Sequence, residues 1–311
     1  MSNKTAMLLA VVPLLLQLAG CVTTAVTVSN RAGLESVEKP KPAAKEPAGQ
    51  ARGTESFAEA VGRGDSAWQA GELDRAVYLY VLALERSPGD APTLAKIGAI
   101  EEGRKNIALA QKAFEMAHAA QPDEPRIAER LGWLYLQQQK FDSAADIFSQ
   151  VLALHPQRAR ALDGMGEVCQ AWANYGDSIG YFDAAMQATD ADAASVLTHR
   201  GYAKLLAGDL AGAGFDLRRV ALTTPRPETW LHLAELQTRQ HDDAAAMDSL
   251  LEIMDTAHAH NEIGVVLMTM SDFRGAARHF TAAISASPAW YEEAQKNLAR
   301  ANEHLRSSPA G

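Results

Sequence analysis

The chain has 311 residues, is rich in alanine and has only 6% aromatic residues, a composition that suits closely packed helix pairs. Its 29 basic and 38 acidic residues give a net charge of −9, without a strongly basic stretch. Because phosphate binding needs a basic face, this charge excludes nucleic acid as an expected partner.

The first 20 residues predict a lipoprotein signal peptide. A short polar start with Lys4 precedes a mostly apolar run from Ala6 to Ala19. This run of about 14 residues is shorter than the ~20 that span a bilayer as a helix, and it is typical of a cleaved secretory leader. Residues 18–21 read Leu-Ala-Gly-Cys, which resembles the lipobox of bacterial lipoproteins.

The lipobox resemblance implies that cleavage precedes Cys21 and that Cys21 carries the lipid. Several acyl chains would anchor the protein firmly, because each buried CH₂ contributes ~0.8 kcal/mol. Val22 stands where an aspartate favours inner-membrane retention in lipoproteins of enteric-type bacteria. The resemblance therefore implies an outer-membrane, periplasm-facing protein. A soluble secretory protein with an incidental cysteine and an uncleaved membrane anchor are the alternatives.

Residues 21–56 predict a disordered tether after the lipidation site. Residues 38–47 contain three prolines and mixed charges without an apolar period. Such a segment cannot bury enough apolar surface to fold, and its prolines make it an extended spacer. We expect it to separate the following domain from the membrane, and a binding motif within it remains an alternative.

A small residue then recurs about every 34 positions across residues 57–288. The series is Gly64, Gly98, Gly132, Gly166, Gly201, Ala234 and Gly264. This period indicates stacked helix hairpins. In the clearest unit, residues 125–158, Gly132 and Ala144 let two helices approach, while Tyr135 and Phe148 fill the space between hairpins.

These positions resemble the tetratricopeptide repeat (TPR) family, in which a proline such as Pro156 closes each unit. The resemblance implies an all-α fold, an α-solenoid of about seven helix hairpins whose extended surface binds proteins. In the fourth unit Asp190 stands where that proline is expected. The last unit begins four residues early, which predicts a shortened second helix or a tightened turn near residues 254–260.

Residues 289–311 predict a capping helix and a tail. Ala294, Leu298 and Ala301 recur at helical spacing among charged residues, as in an amphipathic helix. Terminal repeats need such a polar cap for solubility. A helix that docks on a partner is the alternative.

The sequence predicts no catalytic residues, no cofactor, no metal and no small-molecule substrate. It contains neither a phosphate-binding loop nor a nucleophile elbow. His258, His260 and Glu262 are spaced two apart, and residues two apart on a helix do not share a face. Cys169 is expected to be a buried structural thiol, with an intermolecular disulfide as the alternative.

In the TPR family the first helix of each hairpin lines a groove that holds a partner. Transferring the family's groove positions gives these candidate binding residues: Arg126, Glu129, Trp133, Leu136, Gln137, Arg160, Asp163, Glu167, Tyr202, Leu205 and Arg239. Trp133 and Tyr202 are the expected anchors, because aromatic side chains dominate binding hot spots. The alternative is that Trp133 packs only against the adjacent helix.

The combination of leader, lipobox, tether and repeats is similar to lipoproteins of envelope assembly, and among these to the TadD-type lipoproteins of the Flp (tight adherence) pilus. This resemblance implies a pilotin-like scaffold whose partners are a secretin or other pilus assembly components. A periplasmic adaptor for a cell-wall enzyme, a protease or a polysaccharide export complex is the alternative.

Overall fold

The computed structural model describes residues 56–287, 289 and 291–307, and within them the chain forms fifteen α-helices and no strand. This confirms the predicted all-α fold. The predicted signal peptide, Cys21, most of the tether, Pro288 and Trp290 lie outside the described residues. The chain divides into two compact units, one ending at Pro122 and the other beginning at Asp123.

The first unit contains two helix hairpins. Its helices are α1 (Phe57–Gln69), α2 (Leu73–Leu84), α3 (Ala91–Gly103) and α4 (Ile107–Ala120). Helix α1 begins with a capping box, in which Ser56 and Glu59 each bind the other's backbone N–H. This cap fixes the first turn of the repeat region at the residue where the predicted tether ends.

The second unit contains five hairpins and a final single helix. The hairpins are α5 (Pro125–Gln137) with α6 (Phe141–Leu154), α7 (Ala159–Ala171) with α8 (Tyr175–Gln187), α9 (Ala193–Leu206) with α10 (Leu210–Thr223), α11 (Pro227–Arg239) with α12 (Asp243–Leu251), and α13 (Thr256–Thr269) with α14 (Phe273–Ala286). Helix α15 (Glu292–Ser307) follows and packs on α13 and α14.

Five of the six recurring glycines lie against aromatic rings, and Gly201 lies against Leu217, in agreement with the close packing that was predicted. A Cβ atom on Gly132 would come within 2.6 Å of the Phe148 ring of the same hairpin. The same ring also lies against Gly164 of the next hairpin, so Phe148 fills the space between two hairpins. A methyl group at either glycine would force the buried ring to move.

The irregular last repeats have the geometry that the spacing predicted. Helix α12 has 9 residues, whereas the other second helices have 12 to 14. Helix α13 then begins at Thr256. Helix α15 begins at Glu292, three residues later than predicted, and buries Ala294 and Ala301.

None of the described helices combines the length and the apolar character that crossing a membrane requires.

Candidate partner-binding cavity

A cavity of about 380 Å³ opens among α5, α7 and α9 of the second unit. It is lined by Trp133, Ala159, Arg160, Asp163, Asp190, Asp192, Ser195, Val196, His199 and Arg226. We call it the groove cavity. Three of the predicted binding residues line it: Trp133, Arg160 and Asp163.

Trp133 forms the aromatic part of the groove cavity and is half-buried. The Arg160 guanidinium carbon lies 5.7 Å from the centre of the indole ring, within the range of a cation–π contact. The edge of the ring also packs against Phe148, with centroids 6.0 Å apart. The indole Nε1 is buried and has no hydrogen-bond partner among the described residues, which costs about 1–3 kcal/mol.

His199 is the charged centre of the groove cavity. Its Nδ1 lies 2.8 Å from an Asp163 carboxylate oxygen and 3.5 Å from one of Glu167. Its ring stacks at a tilt between Trp133 and Phe182, with centroid distances of 6.3 and 5.9 Å. The His199 imidazole thus lies between two aromatic rings and beside two carboxylates.

The carboxylates keep this imidazole protonated. Burial alone would lower the pKa of His199, but Glu167 and Asp163 outweigh it and raise that pKa to about 9. Burial raises the pKa of Glu167, although the His199 charge opposes the shift. Burial and the His199 charge together lower the pKa of His232 to about 3. At neutral pH, His199 is therefore a cation and His232 is neutral.

Two aspartates at the rim hold helix starts in place. An Asp190 carboxylate oxygen accepts a hydrogen bond from the Ala159 backbone N–H at 3.1 Å, and Arg158 pairs with the same carboxylate at 3.1 Å. Asp190 thus caps α7, whose own N-cap residue makes no side-chain cap bond. This contact explains an aspartate where the repeat pattern predicts proline. Asp192 caps α9 through the Ser195 N–H.

Several predicted groove residues are buried, which limits direct contact with a partner. They are Glu129, Leu136, Asp163, Tyr202 and Leu205. Glu129 is paired with Arg158 at 2.6 Å. Tyr202 stacks on His232 with ring centroids 3.9 Å apart and is 8% exposed. Tyr202 is therefore a packing residue in this structure, whereas the sequence analysis predicted a partner anchor.

The remaining candidates keep accessible surface. Arg126, Gln137 and Arg160 are exposed, while Glu167 and Arg239 are half-buried. Arg239 is paired with Glu235 at 2.8 Å. Arg160 forms no salt bridge within the described part of the chain, so its charge is available beside Trp133.

Sequence reasoning missed four polar residues of the groove cavity: Asp190, Asp192, His199 and Arg226. Asp190 had a sequence signal, because a carboxylate replaced the expected proline. Asp192 precedes Ser195 by three residues, which is the spacing of a helix N-cap. His199 gave no such signal, because its partners lie 32 and 36 residues earlier in the chain.

No group of three or more His, Cys, Asp or Glu side chains in residues 56–287, 289 and 291–307 is arranged to hold a metal ion. Cys169 is buried, as predicted, and forms no disulfide with another described residue. Burial and the charge of Asp177 raise its pKa, which keeps this thiol protonated and unreactive.

Comparisons with known proteins agree with this architecture. A family model described as tetratricopeptide repeat matches residues 99–168. The fold is that of a TPR protein. A TPR protein from Parabacteroides merdae is 17% identical with a TM-score of 0.61, and the match covers 79% of this chain and 98% of that one. No curated protein matches the chain significantly.

PilW and PilF also have similar structures. PilW, a type IV pilus biogenesis factor, is 17% identical with a TM-score of 0.56, over 67% of this chain and 98% of PilW. PilF of Pseudomonas aeruginosa is 17% identical with a TM-score of 0.51, over 68% of this chain and 97% of PilF. At this identity the similarity shows the fold alone.

Proposed function

We propose that this protein is a lipid-anchored adaptor of the outer membrane that binds a protein segment in the groove cavity. The observation that carries the proposal is the pair formed by Trp133 and Arg160. It combines an aromatic surface with an exposed cation, the two side-chain types that dominate binding hot spots. An acidic side chain of the partner would gain a charge-assisted hydrogen bond from Arg160.

We propose further that the adaptor serves assembly of a Flp pilus or its secretin, in the manner of TadD. The lipobox at Cys21 and the repeats support this role, and PilW is a pilus biogenesis factor with the same fold. Loss of the gene should reduce the level or the multimer formation of the secretin. Unaltered secretin multimers in a deletion strain would contradict this role and favour an adaptor for a cell-wall enzyme, a protease or an export complex.

The cavity is tested by reversing the charge of Arg160 in the full chain. Because Arg160 is exposed and forms no salt bridge in the described region, Arg160→Glu should leave folding intact and remove the partner from pull-downs of the native envelope. Arg219→Glu is the matched control, since Arg219 is an exposed arginine outside the cavity. Equal partner recovery with both variants would rule out the groove cavity as the binding site.

Anchoring is tested separately at Cys21. Replacing it with serine removes the thiol that accepts the lipid, so the Cys21→Ser protein should leave the membrane pellet for the soluble periplasmic fraction. Its continued presence in the pellet would contradict lipidation. The groove cavity of the variant should still bind its partner, because the substitution lies outside the repeats.

A further inference from the structure

Two histidines face each other in the last hairpin of the second unit. His260 on α13 and His279 on α14 bring their Nδ1 atoms within 3.1 Å, and their ring centroids lie 5.2 Å apart. Both side chains are half-buried. Two imidazole nitrogens at this separation share one proton when both rings are neutral, because one must donate and the other accept.

His260 breaks the packing pattern of the repeats. It lies four residues before Gly264, and the equivalent positions in the other six repeats are all apolar: Ala60, Leu94, Ala128, Leu162, Leu197 and Trp230. Leu94, Leu162 and Leu197 are buried core residues. An imidazole here gives up apolar packing that the fold uses elsewhere, and such departures from a local rule mark functional positions.

A carboxylate from a third helix lies near His279. The Asp243 Oδ2 atom, at the start of α12, lies 3.4 Å from His279 Nε2. A carboxylate beside Nε2 favours the His279 tautomer that carries its proton on Nε2. The Nδ1 atom of His279 then has a free lone pair on the side of His260. Histidines that bind metals almost always have such a partner on the second nitrogen.

We propose that His260 and His279 chelate a divalent transition-metal ion through their Nδ1 atoms. Two zinc–nitrogen bonds of about 2.05 Å at a tetrahedral angle place the nitrogens about 3.3 Å apart, and square-planar Cu²⁺ places them about 2.8 Å apart. The observed 3.1 Å lies between these values. Imidazole ligands suit Zn²⁺, Cu²⁺ and Ni²⁺ rather than Mg²⁺ or Ca²⁺.

The site is a two-ligand clip with water in the remaining coordination positions. The described chain supplies no third ligating side chain around the pair. Neither histidine lines the groove cavity, so the clip is independent of the proposed partner site.

Calorimetric titration of the full chain with Zn²⁺ tests the clip, with Mg²⁺ as the control ion. The informative variant is His260→Leu, because leucine is the natural residue at three equivalent positions and should keep the hairpin folded. We expect Zn²⁺ binding at the clip to disappear in this variant and Asp243→Asn to weaken it by about 10- to 100-fold. His258→Gln, which changes an exposed histidine on the same helix, should bind Zn²⁺ as the natural chain does.

Electron paramagnetic resonance of the Cu²⁺-loaded chain identifies the ligands. Two equatorial nitrogens in the natural chain, reduced to one or none in His260→Leu, would establish the bis-histidine clip. Equal Zn²⁺ affinity of the natural chain and a folded His260→Leu variant would overturn it. The same holds if the natural chain binds Zn²⁺ no better than it binds Mg²⁺.

Discussion

Each unit contains a polar network between neighbouring hairpins, and the two networks differ in their exposure to water. In the first unit, Asp65 accepts hydrogen bonds from Tyr80 at 2.7 Å and from Lys96 at 2.6 Å. The Lys96 and Asp65 side chains are 30% and 39% exposed. In the second unit, the His199 and Asp163 side chains are only 19% and 9% exposed.

The difference in exposure decides what each network contributes. Water screens the Lys96–Asp65 pair, and exposed ion pairs contribute at most about 1 kcal/mol. Breaking a buried pair leaves a charge without water or partner, which costs about 3–5 kcal/mol. The second network therefore ties the stability of the groove cavity to one proton on His199.

The largest expected effect comes from His199→Leu. This change leaves Asp163 and Glu167 without their cation, so we expect the free energy of unfolding to fall by about 3 kcal/mol or more. Urea denaturation of the full chain measures it. Adding Asp163→Asn and Glu167→Gln should restore part of the loss, because the unpaired charges are then absent. A loss below about 1 kcal/mol would show that the buried network contributes no more to stability than the exposed one.

The pH dependence of stability tests the same proton without a substitution. Because the folded-state pKa of His199 is raised from 6.5 to about 9, its contribution is complete below pH 6.5 and is lost as pH rises through 9. His232 acts oppositely: its pKa is lowered to about 3, so stability is lost as pH falls from 6.5 towards 3. Thermal denaturation should therefore show the highest stability near pH 6.5, with losses at both higher and lower pH.

The alkaline part of that profile has a matched control in His199→Leu. The variant has no proton at this position to lose, so its stability should change less between pH 7 and pH 10 than that of the natural chain. An identical alkaline decline in the two proteins would assign the decline to other groups.

A smaller effect is expected from Asp190→Ala. The variant loses the bond to the Ala159 N–H that caps α7, and such caps contribute about 1 kcal/mol. Glu129 keeps its partner Arg158, so no buried charge is left unpaired. Asp183→Ala is the control, because Asp183 is 57% exposed and its partner Arg200 still pairs with the buried Asp216. Equal stability of the two variants would contradict the capping role.

The smallest effect should come from Lys96→Ala in the first unit. The exposed pair with Asp65 is screened by water, and Asp65 retains its hydrogen bond from Tyr80. We expect a loss of less than about 1 kcal/mol, measured by urea denaturation. A loss as large as that of His199→Leu would show that exposure does not separate the two networks.

Much of the fold was predictable because the packing signals repeat along the chain. The contact between Gly132 and Phe148 has equivalents in other repeats, such as Gly98 with Phe114 and Gly166 with Phe182. Each repeat therefore supports the interpretation of the others. The early arrival of Gly264 predicted an irregular repeat, and the structure contains the short helix α12. The hairpin turns were harder to predict, since only Gly71 and Gly208 are glycines among the seven residues with left-handed backbone in the described part of the chain.

The candidate sites were only partly predictable. Family positions included Trp133 and Arg160, which line the groove cavity, but they also included Tyr202, which is buried against His232. The sequence argument against a metal considered His258 and His260 on one helix. It could not include His279, which reaches His260 from the neighbouring helix.

The sequence by itself determined the helical repeats, because a period near 34 residues and small residues at fixed positions encode local packing. It also supplied the prediction of a lipid anchor at Cys21. Only the tertiary structure decided which charges meet. His199 and its carboxylates, like His260 and His279, come from different helices, and their protonation depends on burial and on partners that chain spacing does not encode.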